Sequence, residues 1–376
     1  MSEETAAPPF ASLFHSALAE VARFSWTNRY MTRLSLILAG NEPRQRYLFE
    51  ALASRLHVPT VLEFDDIDPI TKLTAAVLSL SWPRSEWWEN YQMHPLVQSR
   101  RRRVLSRGLH ALDDDVDALL MWGSWFKPPA LRSQELPFFN YIDQSHSLRN
   151  LPGERKGRFA RRARAHALQG ATYDAAAGIF CMSEWARNQT LESHRVDAGK
   201  VVAVGWGPCG VDLSVENFTS VEREPVVLHV SNDFYRKGLD FLFATAERVH
   251  AAVPSARFVV IGEDVGGRRP SSPNYVMLLG RISDKQILAD HFRRASAFFL
   301  PHRFDRSPHV LVEAMSAALP LVASAQGGAI ELIEGTGAGY LVKSGDIQGY
   351  TDAIVSVLRD QDLRQTMGMK SQELMR

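Results

Sequence analysis

The second half of the chain alternates short apolar runs with stretches of helical length, and this limits its fold more than any other feature. Runs at 226–230, 258–262, 276–280, 297–301, 319–324 and 339–342 are separated by helical patterns over 238–252, 284–295, 308–318 and 346–359. Strands alternating with helices predict βαβ units and a mostly parallel sheet. The runs are almost continuously apolar, as strands are when helices cover both faces of their sheet. A Rossmann-like domain is therefore expected over 207–376, its sheet beginning after about Asn217. Two helix starts show capping chemistry. Ser283 with Gln286 makes an S-x-x-Q box, and Ser307 puts a hydroxyl before Pro308 at the first helical position.

The first half repeats the alternation less cleanly. Its strand candidates are 34–39, 60–64, 117–122, 138–142, 178–182 and 201–205. A second Rossmann-like domain fits 1–206, with a helical prefix over 1–30 and an enlarged helical region over 70–112. The breaker-rich stretch from Gly205 to Gly210 reads as a hinge. The expected fold class is α/β, with two such domains facing each other across a cleft. Strand C-termini and helix N-termini would line it, and a phosphorylated ligand is expected there.

The 376 residues suffice for two domains, each burying its own core. A formal net charge of +1 gives no reason to expect a nucleic-acid partner. With Cys181 and Cys209 as the only cysteines, a disulfide framework and a cysteine zinc site are excluded, and a reducing cytoplasm is the expected compartment. No run approaches the roughly 18 to 20 apolar residues of a membrane span. No basic segment precedes an apolar run at the N-terminus, so no signal peptide is expected.

The stretch from Asp305 to Met315 carries the most chemistry. A strand ends near Pro301, a loop carries Asp305, and a helix starts at Ser307 and Pro308. The N–H groups of His309, Val310 and Leu311 would face an anion. Side chains on a helix lean toward its N-terminus, so Glu313 can reach back to the same place. Two carboxylates beside an anion site suit sugar or ribose hydroxyls; a cap plus a solvated Glu is the plainer alternative. Ser231 to Gly238, after another strand, carries Arg236 and Lys237 at a helix start. Cations are unfavourable there, which favours phosphate binding over a solvated basic turn.

These segments resemble the donor-binding motif of retaining glycosyltransferases of family four, enzymes of the GT-B fold. The family pattern is E-x7-E, then E-A-M-x-x-G-x-P-V-V-A-S, a Gly-Gly turn and an acidic residue. Here it is met by Asp305, Glu313-Ala314-Met315, Leu319 to Ser324, Gly327-Gly328 and Glu331. Residues 276–301, Ser183-Glu184-Trp185, Lys200-Val201-Val202 and Gly210-Val211-Asp212 look like further family segments. The chain departs from the pattern in four places. Asp305 replaces Glu, Asn232 stands where the family has Arg, Ala318 replaces Gly, and Gly40 stands alone where the family has Gly-Gly.

The resemblance implies a metal-independent, retaining transfer from a nucleoside-diphosphate sugar, UDP-sugar being favoured, with no cofactor required. Lys237 and Arg236 would neutralise the leaving diphosphate and Asp305 would hold the sugar. Glu313 would take the ribose. Ser307, His309, Val310, Leu311 and Gly40 would receive phosphate, and backbone near Arg281 the base. Asp143 or His146 would orient a glycan or lipid-linked acceptor of an envelope polysaccharide or glycolipid pathway. The competing class is a non-catalytic relative that binds nucleotide sugar or serves as a scaffold. Basic clusters at 100–107 and 155–164 are either solvated faces or peripheral contacts with an anionic membrane. Asp65-Asp66-Ile67-Asp68 reads as a polar loop, and the Trp87-Trp88 and 122–126 aromatics as core packing.

Overall fold

The computed structural model describes residues 36–40, 52, 58, 61–63, 67–79, 91–92, 94–111, 116–123, 126–129, 136–145, 156–211, 213, 218, 223–262 and 271–375. The helical prefix, His146, Asp65, Asp66, Trp87 and Trp88 lie outside them, as do the side chains of 155–162. The chain divides into two compact units, one ending at Gly205 and one running from Trp206 to Arg376.

The first unit holds six parallel strands: β1 (Leu36–Gly40), β2 (Val61–Glu63), β3 (Ala118–Trp122), β4 (Phe138–Ile142), β5 (Gly178–Cys181) and β6 (Val201–Ala203). Their order is β2-β1-β3-β4-β5-β6. Described helices are α1 (Pro69–Leu78), α2 (Pro95–His110), α3 (Lys156–Ala175) and α4 (Glu184–Ser193). Asp68 caps α1: its carboxylate accepts from Thr71 N at 2.9 Å and Thr71 Oγ1 at 2.8 Å. Asp68 is therefore a loop residue whose carboxylate starts the following helix. Trp122 stands edge-on to Tyr141, 5.2 Å between ring centres, and Phe126 is buried, as packing aromatics.

The second unit is a second parallel sheet: β7 (Val226–Val230), β8 (Arg257–Ile261), β9 (Val276–Gly280), β10 (Ala297–Leu300), β11 (Leu321–Ser324) and β12 (Gly339–Val342). Its helices are α5 (Leu239–Ala252), α6 (Lys285–Arg294), α7 (His309–Ser316), α8 (Ala329–Ile333), α9 (Ile347–Arg359) and α10 (Gln361–Glu373). Successive strand residues enter opposite cores. Leu228, Val259, Phe298 and Ala323 pack with Leu311 and Met315 of α7, while Val227, Val260, Phe299 and Val322 pack with Leu242 of α5 and Ile354 of α9. Two apolar faces per strand are the physical cause of the continuous runs.

The order β12-β11-β10-β7-β8-β9 reverses direction between β7 and β10. At such a reversal the two loops leaving the C-terminal strand ends part in opposite directions and open a crevice. The expected capping box is corrected here. Asp284 caps α6, its Oδ1 accepting from Gln286 N at 2.8 Å and Ile287 N at 3.2 Å. A carboxylate one residue later accepts both N–H groups and displaces the Ser283 hydroxyl from the role.

His229 on β7 is fully buried and joins the two strands at the reversal. Its Nδ1 donates to Phe299 O at 2.9 Å, which leaves Nε2 to accept from the Ser231 hydroxyl at 2.8 Å. Burial, opposed by the bond to Phe299, pulls its pKa from 6.5 to about 4. The unfolded chain thus binds the proton that the folded ring refuses. Stability from this group is complete above about pH 6.5 and is lost as pH falls toward 4. His229→Gln keeps one donor and one acceptor without the proton. Urea titrations between pH 4 and 6.5 should show it losing less stability than wild type, by on the order of 3 kcal/mol.

Candidate functional site

The turn after β7 supplies the cations. Asp233 accepts from Arg236 N at 3.1 Å and from Arg236 Nε at 3.0 Å, and its carbonyl receives Lys237 N–H at 2.9 Å. Gly238 then takes a left-handed φ of 74°, and α5 begins only at Leu239. A Cβ on Gly238 would stand 1.9 Å from Pro301 O, so glycine alone lets this turn close on the loop after β10. Arg303 N donating to Arg236 O at 2.8 Å and Arg236 Nη1 donating to Phe304 O at 3.1 Å complete the join. Lys237 is 8% exposed, which rules out a solvated basic turn.

Asp305 closes this cluster. Its carboxylate is in direct contact with Lys237 Nζ, and Arg236 Nη1 lies 3.7 Å away. Burial acts to raise the Asp305 pKa, but Lys237 and Arg236 outweigh it and hold the carboxyl below its ordinary range. Burial brings Lys237 down, with Asp305 opposing. The backbone under Asp305 is fixed as well. Gly327, at φ 57°, lies where a Cβ would be 1.7 Å from Asp305 O, and Gly328 N donates to Arg306 O at 2.8 Å.

The start of α7 forms the other wall. Two expectations are corrected. Ser307 is not the cap: Pro308 occupies that position without a side-chain bond, and the buried Ser307 Oγ has no hydrogen-bond partner. The Leu311 N–H is already taken by Pro308 O at 2.9 Å, which removes it from the groups expected to face an anion. The helix begins one residue later than expected, and its first turn closes with an i to i+3 bond.

The segment read as a hinge is docked along this helix. Glu313, 8% exposed, accepts from Gly210 N at 2.7 Å, and Ser316 Oγ accepts from Leu213 N at 3.1 Å. Cys209 Sγ lies 2.8 Å and Gly207 O 3.1 Å from His309 Nδ1. Trp206 packs against Gly328, and its buried indole Nε1 has no partner. Two cations, a helix start, two orphaned polar atoms and a buried carboxylate so converge where β7 and β10 end. Such a set can receive a phosphorylated, hydroxyl-bearing ligand.

Among the other candidates, Arg281 is exposed after the edge strand β9, two strands away from β7. Gly40 ends β1, beside the reversal of the first sheet, and Asp143 is exposed after β4. Both belong to the first unit. The loop after Asp143 is held by Gln189, which accepts from Ser145 N at 2.7 Å and donates to Ser145 O at 2.5 Å. Sequence reasoning missed Asp233 and Gly210 as site residues. The D-x-x-R spacing before Lys237 was the available signal for the first; no local pattern pairs Gly210 with Glu313 across a hundred residues. Among the described residues no group of three His, Cys, Asp or Glu is placed to hold a metal, and no helix is long and apolar enough to cross a membrane.

Residues 224–360 match the family described as glycosyl transferases group 1. A phosphatidyl-myo-inositol mannosyltransferase of Mycobacterium leprae is 26% identical over 293 residues, 73% of this chain and 71% of that one. An N-acetyl-alpha-D-glucosaminyl L-malate synthase of Bacillus anthracis is 36% identical over 164 residues, 40% of this chain and 41% of that one. The chain spans half or less of the length of several curated relatives it matches. The solved sucrose-phosphate synthase of Thermosynechococcus elongatus superposes with a TM-score of 0.64 at 16% identity, covering 91% of this chain and 94% of that one. Anabaena HepE, solved with UDP, gives 0.58 at 16%, covering 92% and 94%.

Gly238 and Gly335 both have left-handed φ, but a Cβ on Gly335 would meet nothing within 4 Å. Gly335→Ala should therefore cost only the conformational penalty of about 1 kcal/mol. Gly238→Ala adds the clash with Pro301 O and should cost about 3 kcal/mol or more in urea denaturation.

Proposed function

We propose that this chain, which belongs to glycosyl transferases group 1 through residues 224–360 and has the GT-B fold, transfers a sugar from a nucleoside-diphosphate sugar to a glycan or lipid-linked acceptor. One observation carries the reading. A lysine buried at the strand-order reversal stands beside a helix start whose buried Ser307 hydroxyl has no hydrogen-bond partner. An ammonium held at such a place, with Asp305 as its partner in the protein, suits an anion that gains charge as a bond breaks. Lys237 and Arg236 take the diphosphate with His309 and Val310 N–H. Glu313 is assigned the ribose. Asp305 serves the sugar, and Arg281 backbone meets the base.

The reaction breaks the anomeric carbon–oxygen bond to the diphosphate and forms one to the acceptor oxygen on the same face. The acceptor proton passes to the departing phosphate. Fixed cations and the helix dipole do the work of a metal ion, so none is required. UDP is favoured as the nucleotide, supported by the UDP-bound HepE structure. The first unit is assigned the acceptor, with Asp143 at a strand end, while Gly40 is assigned to the donor phosphate. Exposed Arg102, Arg103 and Arg107 on α2, and exposed Ile70, Leu73 and Val77 on α1, suit contact with an anionic membrane on the cytoplasmic side. The name of the mycobacterial mannosyltransferase, with its lipid acceptor, supports that choice.

A thermal-shift panel of UDP, GDP, ADP and their sugar conjugates, with and without EDTA, tests the reading. One base should stabilise the protein, by about 2.7 kcal/mol at 100 times its Kd, whether or not EDTA is present. Lys237→Ala should abolish that shift and lower transfer by about two orders of magnitude or more. A scaffold would retain partner binding in the same variant, and no shift with any nucleotide would overturn the donor assignment.

A further inference from the structure

The cations at the end of β7 are already balanced within the protein. Arg236 pairs with Asp233 at 3.0 Å and reaches Asp305 at 3.7 Å, while Lys237 contacts Asp305 directly. Two positive and two negative groups make a neutral set, and Asn232 adds no charge. The Lys237 and Asp305 side chains are only 10% and 14% exposed, so water screens their attraction poorly. A diphosphate brings negative charge to two cations that each already hold a carboxylate. One carboxylate must give way, and the geometry picks which. Asp233 is locked by two bonds within its own turn, to the backbone and the guanidinium of Arg236. Asp305 holds Lys237 through side-chain contacts alone, while its backbone is pinned by the close approach of Gly327. Rotation of its short side chain is therefore enough to release the ammonium without moving the loop.

We propose that Asp305 is a resident carboxylate that occupies Lys237 in the free protein, yields it to the diphosphate of the donor, and then accepts hydroxyls of the donor sugar. The inference rests on the donor reading above and adds a specificity to it. A bare nucleoside diphosphate displaces Asp305 and leaves the freed carboxylate nothing to bind. A nucleotide sugar displaces it and supplies the hydroxyls. Asp305 thus disfavours the nucleoside diphosphate left after transfer relative to the donor, and promotes product release.

Isothermal titration of the full chain with UDP, GDP, ADP and their hexose conjugates tests this by the sign of the change. Asp305→Asn keeps the shape and removes the charge. It should bind the bare diphosphate about tenfold more tightly than wild type, and lose most of the preference for the sugar conjugate. Asp240→Asn removes an exposed carboxylate from Arg303, which keeps its bond to Tyr235 O, and alters net charge equally; it should shift both ligands alike, by less than about twofold. Unchanged or weaker diphosphate binding by Asp305→Asn, or a retained sugar preference, overturns the inference while leaving the donor reading standing. If neither wild type nor the variant binds any of the six ligands, both fall together. Should the variant not fold, the carboxyl carbon resonance of Asp305 in wild-type protein, followed as inorganic pyrophosphate is added, reads the same exchange. A shift supports the displacement and an unmoved resonance overturns it.

Discussion

A parallel sheet must be covered on both faces, and nearly everything else here follows from that. Alternate residues of each strand enter different cores, as Leu228 and Val227 or Phe298 and Phe299 do, so neither face of a strand opens to a ligand. Function is pushed to the loops at the strand ends. Among those loops, the reversal of order between β7 and β10 selects the two that flank the crevice. Lys237 and Asp305 are neighbours because the sheet ends there, although 68 positions separate them.

The same constraint explains what could be read from the chain beforehand. Runs apolar on both faces stand out without any three-dimensional knowledge, and all six strands of the second unit were expected within three residues of where they lie. The start of α7 was legible as a helix start because Pro308 fixes φ there. Its donors were not legible. Whether Leu311 N–H faces outward depends on how tightly the first turn winds, which is a matter of the 2.9 Å bond to Pro308 O and leaves no trace in residue type. Ser283 and Asp284 are both good caps, and residue type alone does not choose between them. The partnership of Gly210 with Glu313 was invisible for a different reason: a backbone donor has no sequence identity of its own.

Arg223 shows the economy of this arrangement on the far side of the sheet. Its guanidinium donates to Ala295 O at 2.8 Å and Ala317 O at 2.7 Å, the residues that end α6 and α7. Burial brings its pKa down to about 10, still well above neutrality. One cation therefore satisfies the carbonyl ends of two helices at once, where the negative ends of their dipoles favour it. The helix whose start faces the candidate site is anchored at its other end by this residue.

Gly238 and Gly327 bear on how such a site can diversify. At both, the backbone of one loop rests against a carbonyl of another more closely than any side chain allows. Substitution there does not tune the site but dislodges it, so the paths open to a drifting lineage run through neighbours that carry side chains into the crevice. Asn232, Asp305 and Ser307 are three such positions, and they include the two in this cluster at which the chain departs from the family pattern. Divergence in what such proteins accept would then accumulate as exchanges of a few polar groups on an unmoving frame, and a library aimed at new donors should vary those positions while leaving the glycines untouched.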